Sequence, residues 1–408
     1  MKNLTYTLLT IALLHTGFMQ AQLSLEGEFR PRSEYFGNGG NYTGGSFPAG
    51  TATVADEGFV RTTVRAAFKT KYKSETYTLF TSFQEVFAFG DRQQIATAGN
   101  GNFRVQEAWA DLLLGESSSL KVGRQPLSYD NQRILGGLGW AQQARTHDAV
   151  VYKYKKDKLS LDIGGSLNTT TDEVYNNSTL FTYRDMLFLR LNHKGEKFNV
   201  SFLTLSNTYQ NSNVDGATKS NLITYGLHMG YKAGALSLTS DLYMQEGERI
   251  GGVDVKGAYL ASLGLTYKLD KTNSLGLSYE VISGKESDTA AFFPLYGTNH
   301  AFNGLMDRFY VGNHANAGGL KDLKLTYKTK ISGVALTVAA HSFTEQSQGG
   351  DDLGTEIDLI LAKKFKEFVL VGGYSHFIEP SAVADLANVK DTQNWAWLML
   401  VLKPKFLN

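Results

Sequence analysis

The stretch VRTTVRAAFKTKYKSE, residues 60–75, carries two structural signals at once. Val60, Thr62, Val64, Ala66 and Phe68 alternate with Arg61, Thr63, Arg65 and Lys69, and the run ends in a tight turn at Ser74-Glu75. A period of two puts the first set on one face of a β-strand and the charged set on the other. Upstream, Leu23, Leu25, Gly27 and Phe29 alternate in the same way with Glu26, Glu28, Arg30 and Arg32. Downstream, Leu236, Leu238 and Leu242 oppose Thr239, Asp241 and Tyr243. Leu275, Leu277 and Tyr279 oppose Ser278 and Glu280, and Ile357, Leu359 and Leu361 oppose Glu356 and Asp358. One such strand alone also suits a soluble sandwich, with its charged face outside.

The connections decide between the two. Tight turns fall near Ser74-Glu75, Gly115-Glu116, Asp157-Lys158, Gly195-Glu196, Ala233-Gly234, Asp270-Lys271, Ser332-Gly333 and Lys366-Glu367. Successive turns are roughly 35 to 60 residues apart, room for two strands and one longer loop. A sandwich has no need for every second loop to be short, whereas outer-membrane barrels show that rhythm. A closed sheet is also the only all-β structure that spans a bilayer, because lipid offers no partner to an edge strand's N–H and C=O groups. The expected fold is all-β: a transmembrane antiparallel β-barrel of about 18 strands, with short periplasmic turns and longer extracellular loops. Alternation is poor between Phe83 and Leu114, which leaves the count open by about two strands.

Composition fits one large barrel. No linker or charge block divides the 408 residues, and there are only 6 prolines. The 42 glycines, 24 Phe and 21 Tyr suit close-packed strands with aromatic girdles at the membrane interfaces. Mean hydropathy is too low for a helical membrane protein, but a barrel meets lipid with only every second strand residue. At the N-terminus, Lys2, the apolar run Leu8–Leu14 and Met19-Gln20-Ala21-Gln22 read as a secretory signal peptide, residues 1–21, cleaved after Ala21. That apolar run is too short to span a membrane. The expected domains are therefore the signal peptide and a barrel over residues 22–408, placed in the outer membrane of a Gram-negative bacterium. The absence of cysteine excludes disulfides, thiolate metal sites and a lipoprotein anchor.

Several blocks resemble the alginate-export family of outer-membrane barrels. They are Gly123-Arg124-Gln125-Pro126-Leu127-Ser128-Tyr129-Asp130, then Gln132-Arg133, Gly136-Gly137, Trp140 and Asp148, and a second block, Asn299-His300-Ala301-Phe302-Asn303-Gly304-Leu305-Met306-Asp307. Glu107-Ala108-Trp109-Ala110-Asp111-Leu112 is a weaker match of the same kind. The resemblance implies an eighteen-stranded, porin-like barrel and passage of an anionic polysaccharide through an arginine-rich pore. The chain departs from a strongly basic pore protein, since without Lys2 it holds 39 Lys plus Arg against 39 Asp plus Glu.

Arginine is unevenly spread, with 11 of 13 before residue 191. Alternation places Arg30, Arg32, Arg61, Arg65, Arg184 and Arg190 on lumenal faces, with Glu26 and Glu28 among them. A low-dielectric wall focuses the field of such residues into the pore, and a guanidinium holds carboxylates reversibly. Conduction needs sites favourable enough to enter and shallow enough to leave. The competing role is bracing of the wall by Glu26, Glu28 and Glu34 against Arg61 and Arg65. Arg124 is expected to turn toward lipid, near an interface or beside a bulge. Arg133 and Arg145 flank Gly136, Gly137 and Gly139 in a loop able to fold inward as a constriction. The loop from Glu286 to Gly319 holds Phe292-Phe293-Pro294-Leu295-Tyr296, too apolar for water, so it too is expected to pack inward. His300 and Asp307 in that loop read as constriction residues, structural before they are metal ligands. Trp395 and Trp397 mark a closing strand that pairs with the first.

Asp351-Asp352 and Asp385 lack the spacing of a calcium loop, and no phosphate loop, Gly-x-Ser-x-Gly elbow or His-Glu-x-x-His helix occurs. Ser342 and His341 point to opposite faces, so no nucleophile–base pair forms there. No catalytic residue, metal site or cofactor is expected, and neutral charge with an export signal argues against nucleic acid. The expected function is a passive channel for anionic oligo- or polysaccharides or small organic anions, the alternative being a general diffusion porin. A surface adhesion scaffold built on the long loops is a third reading. Partners are outer-membrane lipid and the anionic solute, with periplasmic export or uptake partners left open.

Overall fold

The computed structural model describes residues 22–37, 58–91, 103–168, 182–210, 219–285, 289–309, 318–347, 349–380 and 392–407. The expected signal peptide and Asp385 lie outside the described residues. The first strands are β1 (Gln22–Gly37), β2 (Phe59–Lys73), β3 (Tyr77–Ala88), β4 (Arg104–Leu113), β5 (Ser118–Gln125) and β6 (His147–Lys156). Then come β7 (Leu159–Leu167), β8 (Asp185–Lys194), β9 (Phe198–Gln210), β10 (Lys219–Ala233), β11 (Leu236–Arg249) and β12 (Val253–Lys268). The last are β13 (Ser274–Ser283), β14 (Gly319–Ile331), β15 (Val334–Thr344), β16 (Asp352–Lys364), β17 (Phe368–Ile378), β18 (Thr392–Leu402) and the short β19 (Lys405–Leu407).

Each strand pairs antiparallel with its neighbour in sequence, and β18 returns to β1 with Arg32 opposite Met399 and Phe36 opposite Trp395. The result is a closed barrel of eighteen strands, as the alternation and turns predict. β19 continues β18 after a break at Pro404, which has no N–H for the ladder; its carbonyl instead accepts from Gly27 at 2.8 Å. All eight expected tight turns lie at one end. The expected contrast of loop lengths fails once at the other end, where Ile250-Gly251-Gly252 alone joins β11 to β12. Gly251 and Gly252 both hold positive φ, 84° and 72°, a left-handed pair that glycine adopts without a Cβ clash.

The two faces separate as the period of two requires. Leu275, Leu277, Tyr279, Leu323, Leu325, Ile357 and Leu361 are exposed on the outside, while Glu280, Asp322, Glu356 and Asp358 are buried inside. Tyr72, Tyr231, Tyr267 and Tyr327 lie close to the tight turns, where amphipathic rings suit an interface. The poor alternation after Phe83 has a physical cause. The β3–β4 register shifts between Ser82, opposite Glu107, and Phe83, opposite Val105, so Gln106 is an extra residue and parity changes. Arg124 does turn outward with Leu120 and Val122, one residue before β5 ends. Asp148 meets it there, with Nε to Oδ1 at 2.7 Å and Nη2 to Oδ2 at 2.8 Å, so the charge at this rim position is paired.

Candidate functional site

Two long loops leave the wall and meet inside the barrel. One joins β5 to β6, and the other, described over 289–309, joins β13 to β14. They meet at a single parallel bridge, Leu135 opposite Tyr296, where Tyr296 N donates to Ile134 O at 3.0 Å and Gly136 N to Tyr296 O at 2.8 Å; Thr298 N also donates to Gln132 O at 2.8 Å. This approach needs glycine, because a Cβ on Gly297 would sit 2.2 Å from Arg133 O and one on Gly136 2.3 Å from Thr298 Oγ1. Phe292, Phe293, Leu295 and Tyr296 are buried, as the apolar run predicts. Burial pushes the Tyr296 phenol well above its ordinary range.

The β5–β6 loop crosses the lumen from wall to wall. At one end Arg30 on β1 donates to Gly139 O at 2.7 Å, Ala141 O at 3.0 Å and Gln142 Oε1 at 3.0 Å. At the other end Asn131 donates to Asp241 on β11 at 2.6 Å, and Arg190 on β8 bonds Asp130 at 2.7 Å. Between them Arg133, 1% exposed, reaches β13. Its Nε and Nη2 take both oxygens of Glu280 at 3.1 and 2.5 Å, and Asn299 and Asn303 accept from it at 2.8 and 2.9 Å. The second loop is held by Gln245, which bonds both the N–H and C=O of Phe293 (2.9 and 2.8 Å), and by Glu356, which accepts from Met306 N at 2.8 Å.

Trp140 locks the near end of the crossing. Arg32 lies 4.0 Å above its ring, His300 stacks on it at 4.4 Å, and Trp397 meets it edge-on at 4.7 Å. His300 Nδ1 sits 2.8 Å from Asp307 Oδ2. The pair is therefore part of the loop packing, and among the described residues no cluster of three His, Asp or Glu side chains is placed to hold a metal.

Charge is arranged by sector. On β11, β13, β14 and β16 the inner wall carries Asp241, Glu280, Asp322, Glu356 and Asp358, and these acids are engaged by loop or wall donors. His228 and His341 sit against Asp241 and Asp322 at 2.8 and 2.9 Å. On β1 and β2 the inner wall carries Arg30, Arg32, Arg61, Arg65 and Lys69 with Glu26, Glu28 and Glu34. Glu28 is shared by Lys69 at 2.6 Å, Arg65 at 3.9 Å and Arg30 at 4.0 Å, and Glu34 pairs with Arg32 at 2.9 Å. Glu26 is half-buried opposite Lys69, and the Arg61 side chain makes no hydrogen bond or ion pair with a described residue. Toward the tight turns, the opposite wall recedes into a recess of about 210 Å³ lined by Thr239, Gly264, Gly276 and Ser278 with Lys324 and Lys328.

The expected site residues thus fall into three groups. Arg30, Arg32, Arg61, Arg65, Glu26 and Glu28 stand together on β1 and β2. Arg133, Arg145, His300 and Asp307 lie in the two crossing loops, Arg145 donating to Gly297 O at 3.3 Å. Arg190 and Arg184 are seven strands away; Arg190 holds a loop, and Arg184 lies 3.6 Å from Asp185. Sequence reasoning missed Arg104, whose inward side follows only from the β3–β4 bulge and which donates to Gln143 O. It also missed Gln142 and Asn131, which carry no local signal.

Solved structures share the architecture. The chain aligns over 95% of its length with 97% of Pseudomonas aeruginosa OccK11 (OpdR) at TM-score 0.61 and 17% identity. It aligns over 94% with 98% of Acinetobacter baumannii OccAB4 at 0.64 and 15%. P. aeruginosa OpdK, solved with vanillate, gives 0.63 and 10% over 94% of this chain and 99% of that one. Among curated proteins none matches the chain in sequence. The alginate export family model, in contrast, matches residues 46–396, most of the barrel described above. With its closed eighteen-stranded wall, the chain belongs to the alginate-export family, whose members are non-enzymatic outer-membrane channels.

Proposed function

We propose that the protein is a passive outer-membrane conduit for anionic solutes, either short anionic oligosaccharides or small organic anions. The observation that carries this reading is the division of charge. The acidic sector is engaged in anchoring loops and pairing histidines, while the inner face of β1 and β2 holds seven cations, Lys71 and Lys73 near the tight turn included, against three acids, with the Arg61 side chain directed to no described partner. A potential of one sign along a low-dielectric wall concentrates the opposite ion in the lumen. In this reading residues 1–21 are the removed leader, the tight turns are periplasmic, and Arg61, Arg65 and Lys69 line a path past the crossing loops, with Arg61 on their long-loop side, Arg65 level with them and Lys69 below. Arg30, Arg32 and Arg133 position those loops.

A general diffusion porin is the second reading, supported by Glu28 and Glu34, which partly neutralise the same sector. Reversal potentials across a planar bilayer in a salt gradient separate the two. Anion preference that falls in Arg61→Ala and in Arg65→Ala supports the selective conduit. No preference, or a preference unchanged in both variants, leaves the general porin.

A further inference from the structure

Toward the tight turns, below the acids that hold the crossing loops, the inner wall of β11–β14 has a hollow of about 210 Å³. Three rows of cross-strand partners make it. Thr239, Gly264, Ser278 and Lys324 form the upper row, Thr266, Gly276 and Thr326 the middle one, and Ser274 and Lys328 the lower. Gly264 and Gly276 are its floor, since neither carries a side chain. A glycine inside a strand marks a bulge, a bend or a close approach by another group. No bulge accounts for Gly276, because the ladders on both sides of it keep register. Its φ is not left-handed, and a Cβ there would meet nothing nearer than 3.6 Å. The backbone accepts a larger residue at this position, so what glycine supplies is the space.

The groups around that space are donors without partners. Among the described residues the Lys324 and Lys328 ammoniums make no ion pair and no hydrogen bond, and the five hydroxyls of the three rows make no hydrogen bond. All seven side chains are half-buried or exposed, so a solute in the lumen reaches them. No carboxylate lines the hollow. The next acid along β14, Asp322, is held by His341 and Asn303, and the next along β13, Glu280, by Arg133.

Lys324 and Lys328 stand on one face of β14 with Thr326 between them. At a strand rise of about 3.3 Å per residue their Cα atoms are about 13 Å apart. Each four-carbon stem spans roughly half of that distance, so both ammoniums can close on one group held over Thr326. Two point charges suit a dianion with oxygens on all sides; a planar, singly charged carboxylate is better matched by the arginine fork. A phosphate monoester is such a dianion, with a charge of about −1.5 to −2 at pH 7 and three oxygens to accept from hydroxyls. We propose that the hollow binds the phosphoryl group of a small phosphorylated sugar or polyol. The phosphoryl group lies between Lys324 and Lys328, and the carbon chain lies over Gly264 and Gly276 with its hydroxyls against the wall hydroxyls. The inference rests on the anion-conducting reading and names a solute class for it.

The test is titration calorimetry on the full-length protein refolded in non-ionic detergent. The probes are glucose 6-phosphate, glucose 6-sulfate, which has the same shape and one charge, and inorganic phosphate. Glucose 6-phosphate is expected to bind ~10-fold or more tighter than the sulfate ester, through the charge-assisted contact of the second ammonium. Lys324→Gln and Lys328→Gln should each bring it down to the sulfate ester. Lys364→Gln, on β16, removes the same charge outside the hollow and should leave that preference in place. Gly276→Val keeps both lysines and fills the space, and should abolish binding. Equal binding of the two esters, or a phosphate preference that survives both lysine variants or Gly276→Val, overturns the proposal. Inorganic phosphate binding more weakly than glucose 6-phosphate confirms the ester as ligand, and equal binding overturns the role given to the carbon chain. Reversal potentials read the channel separately. Anion selectivity without phosphate preference removes the hollow as a site and leaves the channel reading, and phosphate preference without anion selectivity does the reverse.

Discussion

Arg133→Met is the perturbation with the largest expected effect on the crossing loops. Arg133 gives two hydrogen bonds to Glu280 and one each to Asn299 and Asn303, and it lies 4.4 Å over the Phe302 ring. After its removal Glu280 keeps one described donor, Asn303 Nδ2 at 2.9 Å. Deleting one partner of a buried ion pair costs about 3–5 kcal/mol, mostly the penalty on the charge left behind. The wall need not bear that cost, because no β-ladder contact involves Arg133 and withdrawal of the loop lets water reach Glu280. The undocked-to-docked ratio should therefore rise by roughly 10² to 4 × 10³-fold, at about 1.4 kcal/mol per factor of ten. Single-channel recording should show a larger conductance level or flickering absent from the wild type, with unchanged far-ultraviolet circular dichroism. Adding Glu280→Leu removes the stranded charge and should restore most of the wild-type current. A folded Arg133→Met protein with wild-type conductance and noise, or a double variant as open as the single one, would refute the reasoning.

Gly297→Ala puts a methyl 2.2 Å from Arg133 O and should part the two loops, raising conductance without loss of barrel signal; wild-type current would show that the loops do not depend on this approach. Trp140→Ala removes the ring shared by Arg32, His300 and Trp397, a cation–π contact of about 0.5–2 kcal/mol among the losses. Acrylamide should then quench Trp395 and Trp397 more strongly, and unchanged quenching counts against the lock. In the turn after β12, the Asn273 and Thr272 donors hold the Asp270 carboxyl below its usual range. Its contribution to stability is fully present above about pH 3.9, the unfolded value, and is lost as pH falls through the lower folded value. Carboxyl NMR titration checks this, and a midpoint at or above the unfolded value is the contrary result.

The barrel itself was legible because its determinants are local. Alternation in residues 60–69 and 23–32 states which side chains face lipid, and each tight turn is complete within a few residues. Pairing with the next strand then needs no further information. Reading failed where a local irregularity changed parity, at the extra Gln106 that conceals the inward side of Arg104. It failed again at Ile250-Gly251-Gly252, where the chain continues as paired strand in place of a long loop.

The site was only partly legible. That the Phe292–Tyr296 run must leave water follows from its composition, and glycines at 136, 137 and 139 suggest a loop able to pack tightly. What each cation does there does not follow. Arg30, Arg61 and Arg133 are chemically the same in the sequence, yet Arg30 is bound to a loop through three donors, Arg133 is buried in a pair, and Arg61 faces no described partner. Their partners lie up to 170 residues away, as with Arg133 and Asn303. The sequence by itself thus determined the wall, its membrane face and its sidedness of loops, since these depend on a period of two and on short turns. Only the tertiary structure decided which charges anchor the loops, which face the lumen and where the wall recedes, because closing the sheet is what brings those distant groups within hydrogen-bonding reach.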